Sequence, residues 1–184
     1  TTLDDGGTTN NGDITTTGDK IDEDSGDVTI LAGNNAALAG NIDTSGLDNA
    51  TSNLDSDAGT VTVTATAGDI NITDGDGNGA TPAIDGIGGT TTDPTIMGEG
   101  ALVTLNAVAG SVTVDEAIAT STELLATTKV DIDAGTDITI SEEITTLGGD
   151  VDINAGGNVT TLDDGGTTNN GDITTTGDKI DEDS

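Results

Sequence analysis

The sequence predicts an all-β protein, a parallel β-helix or β-solenoid with coils of about 20 residues. Three observations predict it: short runs that alternate β-branched with polar residues, a nested internal repeat, and an apolar complement made almost wholly of small aliphatics. The alternation is clearest in Val61-Thr62-Val63-Thr64, Ile70-Asn71-Ile72-Thr73, Val112-Thr113-Val114 and Ile138-Thr139-Ile140, where one face of an extended chain is apolar and the other polar. High acidity without aromatics is otherwise the signature of a disordered chain, and this patterning argues against it.

The 184 residues include no Phe, Trp, Tyr, Cys or His and one Met. A conventional globular core draws on aromatic side chains that each remove roughly 150–250 Å² from water. Here Val, Ile, Leu and Ala must do the burying. A narrow solenoid interior suits them, with Thr and Asn facing outward and Gly, Asp and Asn at the corners.

Three Lys and no Arg stand against 35 acidic residues, a formal net charge of −32. Such a surface excludes nucleic acid, whose phosphates need clustered Lys and Arg, and it is repelled by anionic membranes. Cations are the natural counter-partners. The scarcity of Lys, Arg and aromatics leaves few sites for trypsin-like or chymotrypsin-like cleavage, which suits an exposed extracellular life. With no signal peptide and no apolar run of spanning length, the chain reads as an internal segment without membrane insertion, its anchor lying elsewhere.

The repeat has two levels. Thr1–Ser25 recurs without a change as Thr160–Ser184. Residues 26–184 are thus one complete repeat and 1–25 the end of the preceding one, all in a single continuous solenoid spanning 1–184. Within the repeat, 26–67 aligns with 68–109, pairing Val28 with Ile70, Ile42 with Ile84 and Val61 with Val103. Segments 110–148 and 149–184 follow. Each of the four opens on one phrase: Gly26-Asp27-Val28-Thr29-Ile30, Gly68-Asp69-Ile70-Asn71-Ile72, Gly110-Ser111-Val112-Thr113-Val114 and Gly149-Asp150-Val151-Asp152-Ile153. Two strands per segment read as a pair of coils, so one repeat is expected to hold about eight coils and to rise ~38 Å at ~4.8 Å per coil. The alternative is a string of β-sandwich repeats, whose cores want an aromatic anchor and give no reason for so short an internal register.

The phrases Gly26-Asp27-Val28-Thr29-Ile30-Leu31-Ala32-Gly33, Ala134-Gly135-Thr136-Asp137-Ile138-Thr139-Ile140 and Gly149-Asp150-Val151-Asp152-Ile153-Asn154-Ala155-Gly156-Gly157-Asn158-Val159 resemble the shaft repeats of filamentous-haemagglutinin-type proteins. The resemblance covers nearly the whole chain. It implies a right-handed parallel β-helix, export to the cell surface, and work in adhesion, biofilm formation or cell-to-cell contact.

The sharpest chemical motif is Asp74-Gly75-Asp76-Gly77-Asn78-Gly79, with the alternating oxygen ligands and turn glycine of a calcium loop, and Asp85 at its twelfth position. Asp74, Asp76, Asn78 and Asp85 are accordingly the candidate metal ligands and calcium the candidate ion. The competing reading is a Gly/Asp corner that relieves steric strain. Asp22-Glu23-Asp24 and Asp4-Asp5, with their copies, read as solvated faces or loose divalent-cation sites. Catalysis is not expected: polysaccharide lyases and hydrolases on β-helices need Arg or Lys beside a carboxylate, or stacking aromatics, and the only bases are Lys20, Lys129 and Lys179. Thr60, Thr62, Thr64 and Thr66 form one strip of the kind that ice-binding solenoids array, yet equivalent positions elsewhere hold Asn or Asp. The expectation is a structural shaft of a tandem-repeat extracellular fibre or surface adhesin, its partners being further copies of itself, stacked head to tail or laterally, and divalent cations. A calcium-dependent β-sandwich adhesin repeat is the alternative.

Overall fold

The computed structural model describes residues 13–18, 23–48, 56–73, 82–89, 98–121, 129–162 and 171–175. All regular structure among the described residues is β-strand. After β1 (Ile14–Thr15) the chain winds through coils of three strands each. The first holds β2 (Val28–Ala32), β3 (Ala36–Leu38) and β4 (Ile42–Asp43), and the second β5 (Val61–Ala65), β6 (Ile70–Ile72) and β7 (Ile84–Gly86). The third holds β8 (Val103–Ala107), β9 (Val112–Val114) and β10 (Ile118–Ser121), and the fourth β11 (Lys129–Ala134), β12 (Ile138–Ile140) and β13 (Ile144–Leu147). The fifth comprises β14 (Asp150–Ala155), β15 (Val159–Thr161) and β16 (Ile173–Thr175).

Strands of like place pair in parallel along the coil axis, giving three sheets. The first runs β14-β11-β8-β5-β2, the second β15-β12-β9-β6-β3, and the third β1-β4-β7-β10-β13-β16. Each coil thus contributes one strand to each side of a three-sided parallel β-solenoid. The sandwich alternative falls, because Greek-key sandwiches are built from antiparallel pairs and the described strands pair in parallel.

Register converts the alternating pattern into columns. Val28, Val61, Val103, Val130 and Val151 stack one above another in the first sheet, as do Ala32, Ala65, Ala107, Ala134 and Ala155, with Ile30, Val63, Leu105, Ile132 and Ile153 between them. In the third sheet the column is isoleucine throughout: Ile14, Ile42, Ile84, Ile118, Ile144 and Ile173. Like side chains stacked in register gather into one buried aliphatic cluster, so the core forms with no aromatic residue. A one-residue slip in any coil would turn its apolar set outward, which fixes the register.

The predicted coil length is corrected. One turn of the solenoid runs from each valine of the first-sheet column to the next, so its shortest turn is Val130 to Val151 and its longest Val61 to Val103. The turns Val28 to Val61 and Val103 to Val130 fall between these. Only the shortest matches the expected coil; the others are longer, because two strands in a segment lie on two sides of one coil, not in two coils. The four opening phrases divide in the same way: Val28 and Val151 belong to the first sheet, Ile70 and Val112 to the second. Of the pairs expected from aligning 26–67 with 68–109, Ile42 with Ile84 and Val61 with Val103 are true ladder partners, whereas Val28 pairs with Val61 and Ile70 with Ala36.

Corners between sheets use acidic and amide side chains to link coils. The Asp69 amide donates to Asn35 Oδ1 (3.1 Å), the Ser111 amide to Asp69 Oδ1 (2.9 Å) and the Asn158 amide to Asp137 Oδ1 (2.7 Å). Before the first sheet the Thr60 amide donates to Asp27 Oδ1, the Asp57 amide to Asp24 Oδ1 and the Glu99 amide to Asp57 Oδ1. Each bond satisfies a backbone donor where the strand ladder turns, so these five aspartates have a structural use at the turns. Gly110 serves the same corner by allowing close approach, since a Cβ there would stand 2.3 Å from the Gly68 carbonyl oxygen of the coil before.

Candidate functional site

Of the predicted calcium ligands, Asp85 is described and Asp74, Asp76 and Asn78 lie outside the described residues. Asp85 sits in β7 with its side chain on the outer face, stacked on Asp43 of β4. Its Oδ1 accepts from the Ile87 amide at 3.3 Å, while Asp43 Oδ1 accepts from the amide (3.0 Å) and the hydroxyl (2.6 Å) of Ser45. Each carboxylate therefore closes a turn two residues on, the ordinary Asx geometry. Among the described residues no three His, Cys, Asp or Glu side chains converge as a metal would require.

Burial is the main cause that lifts the Asp85 carboxyl above its ordinary 3.8; the Ile87 amide bond opposes it and the Asp43 charge adds to it. Because the folded chain then holds this proton more tightly than the unfolded one, stability falls as pH rises from about 3.8 through the lifted value. Asp85→Asn keeps an oxygen acceptor for the Ile87 amide and removes the charge. It is expected to stabilise the fold at pH 7, by less than ~1 kcal/mol because the carboxylate is part solvated, and to make no difference below pH ~3.8. Melting curves of both proteins across pH would check this.

One polar row is inside. In the third sheet Thr44, Thr120 and Thr146 are buried beside the isoleucine column, with Gly86 at the same level, where the Ala101 methyl fills the space a side chain would take. The Thr146 hydroxyl donates to the Gly149 carbonyl and the Thr16 hydroxyl to that of Gly26, so each ties the third sheet to the next corner. Thr120 Oγ1 is buried with no partner among the described residues. Removing an unpaired buried hydroxyl relieves its desolvation, whereas removing a paired one orphans the carbonyl it served. Thr120→Val is therefore expected to stabilise by ~1 kcal/mol and Thr146→Val to destabilise by a similar amount, read as shifts in denaturant midpoint.

On the first sheet the outer face changes in polarity and charge where the inner columns stay aliphatic. On the first sheet the outward column reads Thr29, Thr62, Thr104, Asp131, Asp152, and the next Leu31, Thr64, Asn106, Asp133, Asn154. Of the predicted threonine strip, Thr62 thus stacks with Thr29 and Thr104, and Thr64 with Leu31 and Asn106. A shallow groove of about 320 Å³ lies beside Asn106, Val108, Asp133 and Asn154, with Asp133 the one charged residue in its lining.

The end of the stack differs. In the fifth coil Val159 is 50 %, Leu162 47 % and Ile173 41 % exposed, although the residues beneath Val159 and Ile173 in their columns, Ile138 and Ile144, are fully buried. These three side chains belong to the last described coil, on whose outer side no further described coil lies. An open edge at the ends of a solenoid follows from the fold class itself, whereas which side chains lie on it follows from the register.

No protein-family model, characterised protein or solved structure matches the chain.

Proposed function

We propose that this chain is a segment of an elongated acidic shaft, carried in tandem copies on or outside a cell, that holds other parts of its protein at a distance. The observation that carries the reading is the contrast between the constant Val and Ala columns of the first sheet and Ile column of the third, and the changing outer faces. A protein built around a ligand keeps a particular set of outward side chains; this one keeps Val, Ala and Ile columns and lets the exterior drift. The segment Thr1–Ser25, recurring unchanged as Thr160–Ser184, fits a unit multiplied for length. The net charge of −32 fits a surface that stays solvated and repels its like, and catalysis is not part of the reading.

Divalent cations are its expected counter-ions, with calcium at the Asp74, Asp76, Asn78 and Asp85 loop the specific form of that reading. Calcium is expected to raise the melting temperature and chelator to lower it; indifference to both would remove the ion from the account. The shaft itself is tested by electron cryo-microscopy of native surface material. A slender rod with layers near ~4.8 Å is expected, and separate globular beads would overturn it.

A further inference from the structure

Part of the recurring segment is described in both copies, and there the two lie in the same sheet. Ile14-Thr15-Thr16 and Ile173-Thr174-Thr175 are identical in sequence, and their strands, β1 and β16, form the two outer edges of the third sheet. From Ile14 the ladder passes through Ile42, Ile84, Ile118 and Ile144 to reach Ile173, so five coil steps separate a strand from its own copy. A repeat that ended partway round a coil would bring its second copy to another side.

The side of β1 that faces the following coil is paired with β4, and the same side of β16 is the sheet's other outer edge. The Ile14 amide donates to the Asn41 carbonyl at 2.8 Å, the Thr16 amide to that of Asp43 at 2.9 Å, and the Asn41 amide to Asp13 Oδ1 at 2.8 Å. Asp172, Ile173 and Thr175 are the copies of Asp13, Ile14 and Thr16. We propose that the β1–β4 pairing is the joint between consecutive copies, so that the outer edge of β14, β15 and β16 seats the next copy's β2, β3 and β4 and the repeat is five whole coils.

Column chemistry agrees at the other two sides. The next copy's Val28, Ile30 and Ala32 would fall on Val151, Ile153 and Ala155, continuing the valine, aliphatic and alanine columns without a change of type. Its Ala36 would fall on Val159, the half-exposed residue above Ile138, and its Ile42 on Ile173. Ladder spacing then gives an axial period of about 24 Å, five layers of ~4.8 Å, in place of the ~38 Å expected from short coils.

This joint rests on the shaft reading in requiring a following copy, and the test separates the two. A chain of residues 1–184 followed directly by a second Gly26–Ser184 is compared with the single chain by amide hydrogen exchange and cryo-microscopy. Exchange at Ile173 and Thr175 is expected to slow by on the order of a hundredfold in the longer chain, approaching that of Ile14 and Thr16. The particle should lengthen by about 24 Å with no hinge. Ile173→Asp should abolish that protection in the two-copy chain and lower its melting temperature by clearly more than that of the single chain, where the site is part exposed. Unchanged exchange at both amides, or an equal melting loss in both chains, overturns the joint. Two five-coil rods linked by a hinge overturn the joint and leave the shaft standing, whereas a compact two-copy particle overturns both.

Discussion

Ile118→Ala is expected to cost about 3–5 kcal/mol, the upper part of the range for truncating a fully buried isoleucine. Ile118 is 0 % exposed and lies in the middle of the isoleucine column, with Ile84 on one side and Ile144 on the other. Its removal therefore strips two neighbours of contacts at once. A globular core offers some room for side chains to shift into a cavity; a column held by ladder hydrogen bonds on both sides has its spacing fixed and relaxes less. Chemical denaturation would show the loss as a lowered midpoint. The same change at Ile173 should cost well under half as much, because the exposed end has less to lose. Equal losses at the two sites would mean that the column does not act as one.

Gly110→Ala is the second large effect, expected at about 2–4 kcal/mol for a single added methyl group. The new Cβ would meet the Gly68 carbonyl oxygen at 2.3 Å and its carbon at 2.5 Å, with Asp69 Oδ1 at 2.6 Å. Backbone cannot swing aside as a flexible side chain can, so the corner must open. Opening it lengthens the bond from the Ser111 amide to Asp69 Oδ1 that links these two coils. Gly33→Ala is the control: a Cβ there meets nothing within 4 Å, and this corner glycine is expected to tolerate the change within ~0.5 kcal/mol. Thermal melts of the two variants in parallel would decide the matter.

What was legible in the sequence was the side-chain period. Alternation over Val61–Thr64 or Ile138–Ile140 reports which residues face inward, and the structure buries them accordingly. The lack of aromatics correctly pointed to an interior of stacked aliphatics. The size of a coil was not legible, because it depends on how the chain turns between strands, and turn length leaves no mark on the strands themselves. Alignment on the Gly-Asp-Val phrase merged two sides of the solenoid, since a corner glycine and acid precede strands of the first and second sheets alike. A longer word would have separated them: Val-x-aliphatic-x-Ala occurs at Val28, Val61, Val103, Val130 and Val151, once per coil. Of the candidate metal ligands, Asp85 was recognisable by spacing from Asp74, but its stacking on Asp43 and its bond to the Ile87 amide belong to the fold, which sequence spacing does not see.

The unequal coils have a mechanical consequence. Tension applied at the two ends of such a stack loads one layer at a time, because each coil is held chiefly by its neighbours above and below. A coil that peels away releases the whole of its chain. At roughly 3.3–3.6 Å per extended residue, the turn from Val61 to Val103 yields about 140–150 Å, and the turn from Val130 to Val151 about 70–75 Å. A stack only five layers tall thus stores many times its own height in reserve length, let out in steps of different size. Pulled by one end, it would behave as a ratcheted tether that yields in discrete increments before it breaks.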